Sequence, residues 1–400
     1  MRDFLRNGKL VTLMLGHFTV DSYAGIIPVL YPLLIGRFRL SLATVGLVSL
    51  AYSGMAAISQ PFFGIVADRF GTRLTGLALV WTALSFAVMG YVTTFPALLA
   101  LAFASGLGSG AFHPLGALDV RALLPAWRRS VGMSVYVTAG TVGLALGPLI
   151  GILCFGAFGL HGTGLFVVPG IVTGAYLLWR MRGREGQTEK GGQTTAASSP
   201  VPVFALTVVI GVMMSRSWTV LVFQAFTPTW YRQLGYGPGF YGPLVTTLVL
   251  ASAAGTVGCG NLADRFGRRT VILATLVLSL PAILLYTLFP GPWAFGTAIL
   301  IGFLSASTAP LMLLMAQQLM SSRAGLASGL VMGLGFVMGA IGAPLNGALA
   351  DVVGLQRSLM SHLVLVVLTI GLAWFLPRED EMERHMTQAE PRATAAVGGS

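Results

Sequence analysis

His17 and Asp21 stand four residues apart inside an apolar stretch of this chain. On a helix that spacing puts them on one face. A partly desolvated carboxylate beside an imidazole can exchange protons near neutral pH, or the pair can be a structural hydrogen bond that holds the helix in register. His113 precedes Pro114, which frees a backbone carbonyl and kinks a helix, so this histidine either meets a ligand or fills a hinge. Arg216 is the single cation inside a predicted span. Its planar fork suits an anionic group bidentately, and pairing with Asp21 is the other reading. Tyr31, Gln224 and Asn346 join Arg216 and His113 as candidate substrate-binding residues.

These groups need elements to carry them through a membrane. Of 400 residues, 55% are hydrophobic and 9% charged, a composition no soluble protein has. Cutting the chain at charged or Pro/Gly-rich breaks gives twelve candidate spans near 10–35, 43–66, 74–93, 96–118, 130–157, 163–180, 202–231, 240–262, 270–289, 292–318, 325–350 and 356–377. The first holds Asp21 and is followed by no small-residue cleavage site, so it is expected to stay as a span. An ionisable residue at that depth costs about 2.5–3.5 kcal/mol unless it finds water or a partner. At 1.5 Å per residue, Asp21 and Arg216 lie roughly 17 Å and roughly 20 Å into spans one and seven, at similar depth.

The net charge of +11 reports topology here, with no nucleic acid implied. With both termini cytoplasmic, nineteen Lys or Arg fall on inner loops and tails and four on outer loops. Trp230, Tyr231, Tyr236, Tyr241 and Trp293 gather at predicted outer ends as an interfacial belt. Cys154 and Cys259 are expected to be packing residues, and no metal-ligand cluster, nucleophile elbow or phosphate loop is evident, which argues against an enzyme.

Residues 181–200 form a polar cytoplasmic linker between six-span bundles at 1–180 and 201–377, and 378–400 reads as a disordered cytoplasmic tail. The bundles are copies. A shift of 196 residues lays Pro32 on Pro228, Pro114 on Pro310, Gly143 on Gly339, Pro148 on Pro344 and Gly151 on Gly347. It also lays GIVADRFGTR at 64–73 over GNLADRFGRR at 260–269. An even number of spans per copy makes the repeats parallel, with a two-fold axis normal to the membrane and a cavity between them. Small residues Gly143, Gly147, Pro148 and Gly151, and again Gly339, Pro344 and Gly347, let helices approach closely, bend and slide.

The Gly-x-x-x-Asp-Arg-x-Gly-x-Arg loop, present twice, resembles the signature of the major facilitator superfamily. His17-x-x-x-Asp21, Tyr31-Pro32-Leu33-Leu34, Phe112-His113-Pro114, and Ala316-Gln317-x-Leu319 with Arg323-x-Gly325 are similar to the fosmidomycin-resistance family within it. The resemblance implies an all-α integral membrane protein, with twelve transmembrane helices in two pseudo-symmetric six-helix bundles. It also implies a cytoplasmic gate from Gly64, Asp68, Arg69, Gly71, Arg73, Asp119 and Arg121, and from Asp264, Arg265, Arg268 and Arg269. Thr72 stands where the first basic residue of the loop belongs, so the first loop's charge network is expected to be weaker; the Gly143–Gly151 stripe resembles the antiporter motif of drug exporters, with Ser134 where that motif's leading Gly would be.

The expected protein is a monomeric, proton-driven transporter of the bacterial inner membrane, working by alternating access without a cofactor. By resemblance it exports a small drug-like or anionic compound, such as a phosphonate like fosmidomycin, by proton antiport. An anion at Arg216 would free Asp21 to take a proton, which is symport logic, so a proton-coupled importer of an organic anion is the rival. A non-transporting membrane sensor is disfavoured, since no sizeable soluble output domain is present. For the orientation, single cysteines at Gly186 and Thr387 in a cysteine-free variant should resist an impermeant thiol reagent in intact cells, and one at Gly237 should react. The reverse labelling would overturn it.

Overall fold

The computed structural model describes residues 7–70, 72–124, 129–180, 201–306, 309–320, 324–379 and 381–382, and all its regular structure is helical. The expected linker at 181–200 and most of the tail lie outside these residues. The elements are α1 (Gly8–Phe38), α2 (Leu42–Ser49), a π-helical turn (Leu50–Gly54), α3 (Met55–Phe70), α4 (Thr75–Val88), α5 (Phe95–Leu123) and α6 (Arg129–Phe158). A 3₁₀ segment (Gly159–Phe166) leads into α7 (Val167–Arg180), then α8 (Val203–Gln233), α9 (Pro238–Phe266), α10 (Arg268–Leu288) and α11 (Ala294–Ala306). The chain continues through α12 (Ala309–Leu319), α13 (Ala324–Val353), α14 (Leu355–Met360) and α15 (His362–Ala373).

Ten stretches among the described residues are long and apolar enough to cross a bilayer. The difference from twelve has a local cause. Expected spans five and six run on as one helical stretch, Gly132–Arg180, through the 3₁₀ segment, and expected span three is the 14-residue helix α4. Prolines interrupt α1, α5, α6, α8, α9, α10 and α13 without ending them, as a protein-lined membrane interior allows.

Two compact units emerge. The first comprises Met1–Glu189, Phe223–Leu250 and Ala343–Gln356, and the second Lys190–Val222, Ala251–Gly342 and Arg357–Ser400. In the first, α1 and α6 pack along the small-residue stripe. A Cβ on Gly143 would stand 2.1 Å from the carbonyl oxygen of Phe18, and one on Gly147 would stand 2.6 Å from that of Ser22. Gly25 answers from α1, where a Cβ would come within 2.2 Å of the Leu144 carbonyl. In the second unit, the α13 stripe faces α8 in the same manner, with Gly339 against Leu221 and the Ser217 carbonyl. The lower end of that stripe belongs to the first unit, where a Cβ on Gly347 would meet the Leu42 carbonyl at 2.3 Å.

A carboxylate fixes the start of α2. Asp351 near the end of α13 accepts from the backbone N–H groups of Leu42, at 2.7 Å, and Ala43, at 2.9 Å. Ser41, the N-cap, accepts from Thr44. Three of the first turn's orphan donors are thus satisfied, two of them by a negative charge at the positive end of the helix. Asp351→Ala should lower the melting temperature of the purified protein by the equivalent of about 1 kcal/mol. Asp351→Asn, which keeps an acceptor oxygen, should lose less, and equal melting temperatures in all three proteins would show that the contact contributes nothing.

Candidate functional site

Three titratable side chains from two helices meet in the first unit. His17 Nε2 lies 3.3 Å from Asp21 Oδ2, as the i, i+4 spacing on α1 requires. From α5, His113 Nε2 reaches the other carboxylate oxygen, Oδ1, at 3.5 Å. Its kink-forming neighbour Pro114 lies inside α5. Ser109, one turn earlier, also stands 3.5 Å from His113 Nε2.

One contact fixes the tautomer of His17. Its Nδ1 is 2.9 Å from the carbonyl oxygen of Tyr136 on α6. A carbonyl only accepts, so Nδ1 carries the hydrogen and donates it. Nε2 is thereby turned to Asp21 Oδ2 at 3.3 Å, an arrangement in which a proton on either group can be shared with the other.

The walls are close and mostly apolar. The Tyr136 ring lies 4.2 Å from the His17 ring, and Phe112 and His113 complete an aromatic group at 6.3 and 5.2 Å. Gly140 closes the side toward α6. A Cβ there would stand 2.4 Å from Asp21 Oδ2 and 2.5 Å from His17 Nε2. His17 is buried, while the side chains of Asp21 and His113 keep 20% and 26% exposure, which gives the cluster one open side.

Arg216 belongs to the second unit and is also buried. Nε donates to the Ser305 carbonyl at 3.0 Å; Nη2 donates to the same oxygen at 2.7 Å and to the carbonyl of Leu304. Both carbonyls belong to α11, and each accepts a charge-assisted hydrogen bond from the guanidinium. The expected free bidentate fork is therefore corrected: the Nε–Nη2 edge is occupied by backbone. Arg216 still lines a small cavity with Ser215, Thr219, Leu276, Ser279, Ser305, Val366 and Thr369. Five of these eight residues carry hydroxyls, and Thr219 is hydrogen-bonded at 3.1 Å to Nδ1 of buried His362.

The other expected residues divide. Tyr31 donates to Ser49 Oγ at 2.6 Å and sets its ring against Phe226, so it ties α1 to α2 and is not placed to offer its hydroxyl to a substrate. Asn346 is buried on α13 and Gln224 half-buried on α8. Gly71, and the side chains of Asp68 and Arg69, lie outside the described residues; Gly64 lies on α3 with open space at its Cα. Asp119 is buried and takes the hydroxyls of Thr72 and, at 2.8 Å, Thr75. Thr72 thus keeps the loop tied to α5 by a hydroxyl where a basic residue was expected to act. Arg73, Arg121, Asp264 and Arg265 are exposed. Arg268 bonds to Gln318 and, through its backbone N–H at 2.9 Å, to Glu379; Arg269 donates to the Trp374 carbonyl and stacks over that ring. The second loop is therefore anchored to the segment that follows α15.

Sequence reasoning missed Gly140 and Tyr136. Gly140 sits in register with the glycines at 143 and 147, and that register was the available signal; the Tyr136 contact is made by backbone and has none. Gly140→Ala should abolish driven transport by displacing Asp21 and His17, while Gly333→Ala, with open space at its Cα, should transport normally. Transport by Gly140→Ala at the wild-type rate would remove this cluster from the mechanism.

The geometry can be set beside known proteins. The sequence profile of the Major Facilitator Superfamily matches residues 13–243 and again 208–397. An uncharacterized MFS-type transporter, YfnC of Bacillus subtilis, is 30% identical, with 93% of each chain covered. The fosmidomycin resistance protein of Escherichia coli is 26% identical over 86% of each chain. Among solved structures, a bacterial homologue of the human lysosomal transporter Spinster, in an inward-facing and occupied conformation, superposes with a TM-score of 0.79 at 15% identity, covering 97% of this chain and 98% of that one. The helical fold, the duplicated Asp-Arg loop and the profile match over nearly the whole length agree: this chain belongs to the Major Facilitator Superfamily and is a multi-pass membrane transporter, not an enzyme.

Proposed function

We propose that this protein is a proton-coupled secondary transporter of the bacterial inner membrane that exports a small drug-like or anionic compound by antiport. One observation carries the reading: His17 Nε2 lies 3.3 Å from Asp21 Oδ2 inside a span, a contact suited to sharing a proton, with His113 on the second carboxylate oxygen and one side open. The naming of a similar protein for fosmidomycin resistance supports the direction and a phosphonate-like substrate. In this reading the six-span bundles at 1–180 and 201–377 rock about the site, both termini are cytoplasmic, and one chain suffices. The Asp68 and Asp264 loops gate the inner mouth, with Asp119 and its threonines seating the first of them. No cofactor is needed, because the proton gradient supplies the energy.

A second reading keeps the fold and reverses the direction. Arg216 beside a hydroxyl-lined cavity favours an organic anion, and import of such an anion would run with the proton.

Reconstituted vesicles with an imposed pH gradient separate the two, using anionic, zwitterionic and cationic compounds with fosmidomycin among them. Antiport moves substrate toward the acidic side, and symport moves it away. Asp21→Asn mimics a fixed proton, so it should exchange substrate passively and lose driven accumulation. Arg216→Lys keeps the charge but loses the fork that holds the Leu304 and Ser305 carbonyls, so it should lower the melting temperature and, in the protein that folds, weaken binding of an anionic substrate at the cavity. Wild-type accumulation by Asp21→Asn would refute the coupling assignment.

A further inference from the structure

We propose that His17, Asp21 and His113 form a three-ligand site for a borderline divalent cation of the zinc class. The inference rests on the same cluster as the coupling site and adds a ligand to it. No local spacing announces it, because the third ligand comes from another helix.

Two imidazole nitrogens and a carboxylate oxygen suit zinc, nickel or cobalt, whereas magnesium and calcium demand an all-oxygen shell. The ligand atoms all lie within 4.8 Å of one another. Tetrahedral zinc with bonds of about 2.0–2.2 Å has ligand–ligand edges of about 3.3–3.6 Å. The two imidazole nitrogens lie against different carboxylate oxygens, His17 Nε2 3.3 Å from Oδ2 and His113 Nε2 3.5 Å from Oδ1, so coordination through one oxygen takes a turn of the carboxylate. Ser109 stands 3.5 Å from His113 Nε2, and rotation of that ring brings its nitrogen toward the same ion.

The surroundings are those of a metal ligand set. His17 gives its remaining N–H to the Tyr136 carbonyl at 2.9 Å, which fixes the tautomer that leaves Nε2 free to coordinate. Gly140 leaves the space beside Asp21 Oδ2 and His17 Nε2 clear. The open side, through the partly exposed Asp21 and His113, supplies an approach path and a fourth position for water.

Calorimetry with Zn²⁺ on the full-length purified protein tests this. Wild type should bind one ion saturably, and Mg²⁺ in excess should not compete. Asp21→Asn and His113→Gln should each weaken binding about tenfold or more. His113→Cys, which restores a ligand, should recover it. Zn²⁺ should also inhibit pH-driven transport. Absence of saturable binding to the wild type, or unchanged affinity in folded Asp21→Asn and His113→Gln, would overturn the metal site. Proton-driven transport in the presence of a chelator keeps the coupling reading separate. If it persists while zinc fails to bind, the metal site alone falls; if zinc binds as expected while Asp21→Asn still accumulates substrate, the metal site stands and the coupling assignment falls.

Discussion

A charge at membrane depth must be answered by a partner. Placing Asp21 in a span costs about 2.5–3.5 kcal/mol when it stands alone, and the helices around it are arranged so that it does not. His17 reaches it along α1, His113 across from α5, and the Tyr136 carbonyl on α6 holds His17 in the orientation that makes the first contact work. Three helices are thereby brought to one point. The close approach of α1 and α6 along Gly140, Gly143 and Gly147 is what allows it, because a side chain at any of the three would strike the Asp21 carboxylate or the α1 backbone.

Arg216 meets the same constraint by another route. Its Nε–Nη2 edge is satisfied by the backbone carbonyls of Leu304 and Ser305 on α11, as charge-assisted hydrogen bonds. The sequence repeat makes the contrast sharper. The 196-residue shift lays His17 on Met213, Asp21 on Ser217 and His113 on Ala309, so the second copy retains the bends and the small-residue stripe without the proton-holding groups. Duplication preserved the mechanical parts, whereas the titratable cluster is confined to one copy.

That division explains what could be read from the sequence. Composition, spans and the duplicated loop are local or periodic properties, and they place almost every helix. The His17–Asp21 pair was legible because helical geometry fixes it within one turn. Contacts between helices were not. Nothing in the spacing says that His113 closes on Asp21, or that Tyr31 spends its hydroxyl on Ser49. Arg216 was read as an open fork because its true partners are backbone carbonyls, which no residue type announces. Thr72 was read as a loss because a basic residue was expected there, yet a hydroxyl at the same position serves a buried carboxylate well.

The partners of Arg216 also bear on coupling. Had Asp21 and Arg216 been each other's counter-ions, an anion binding to Arg216 would have released Asp21 and drawn in a proton, tying substrate and proton together in the sense of symport. Within the first unit Asp21 keeps two histidines, and within the second Arg216 keeps two backbone carbonyls. Under the proposed reading a proton and a substrate held by separate partners are linked through conformation, each ligand preferring one orientation of the helices. A coupling of that kind needs no shared counter-ion, so the proposed antiport does not require proton and substrate to compete for one charge.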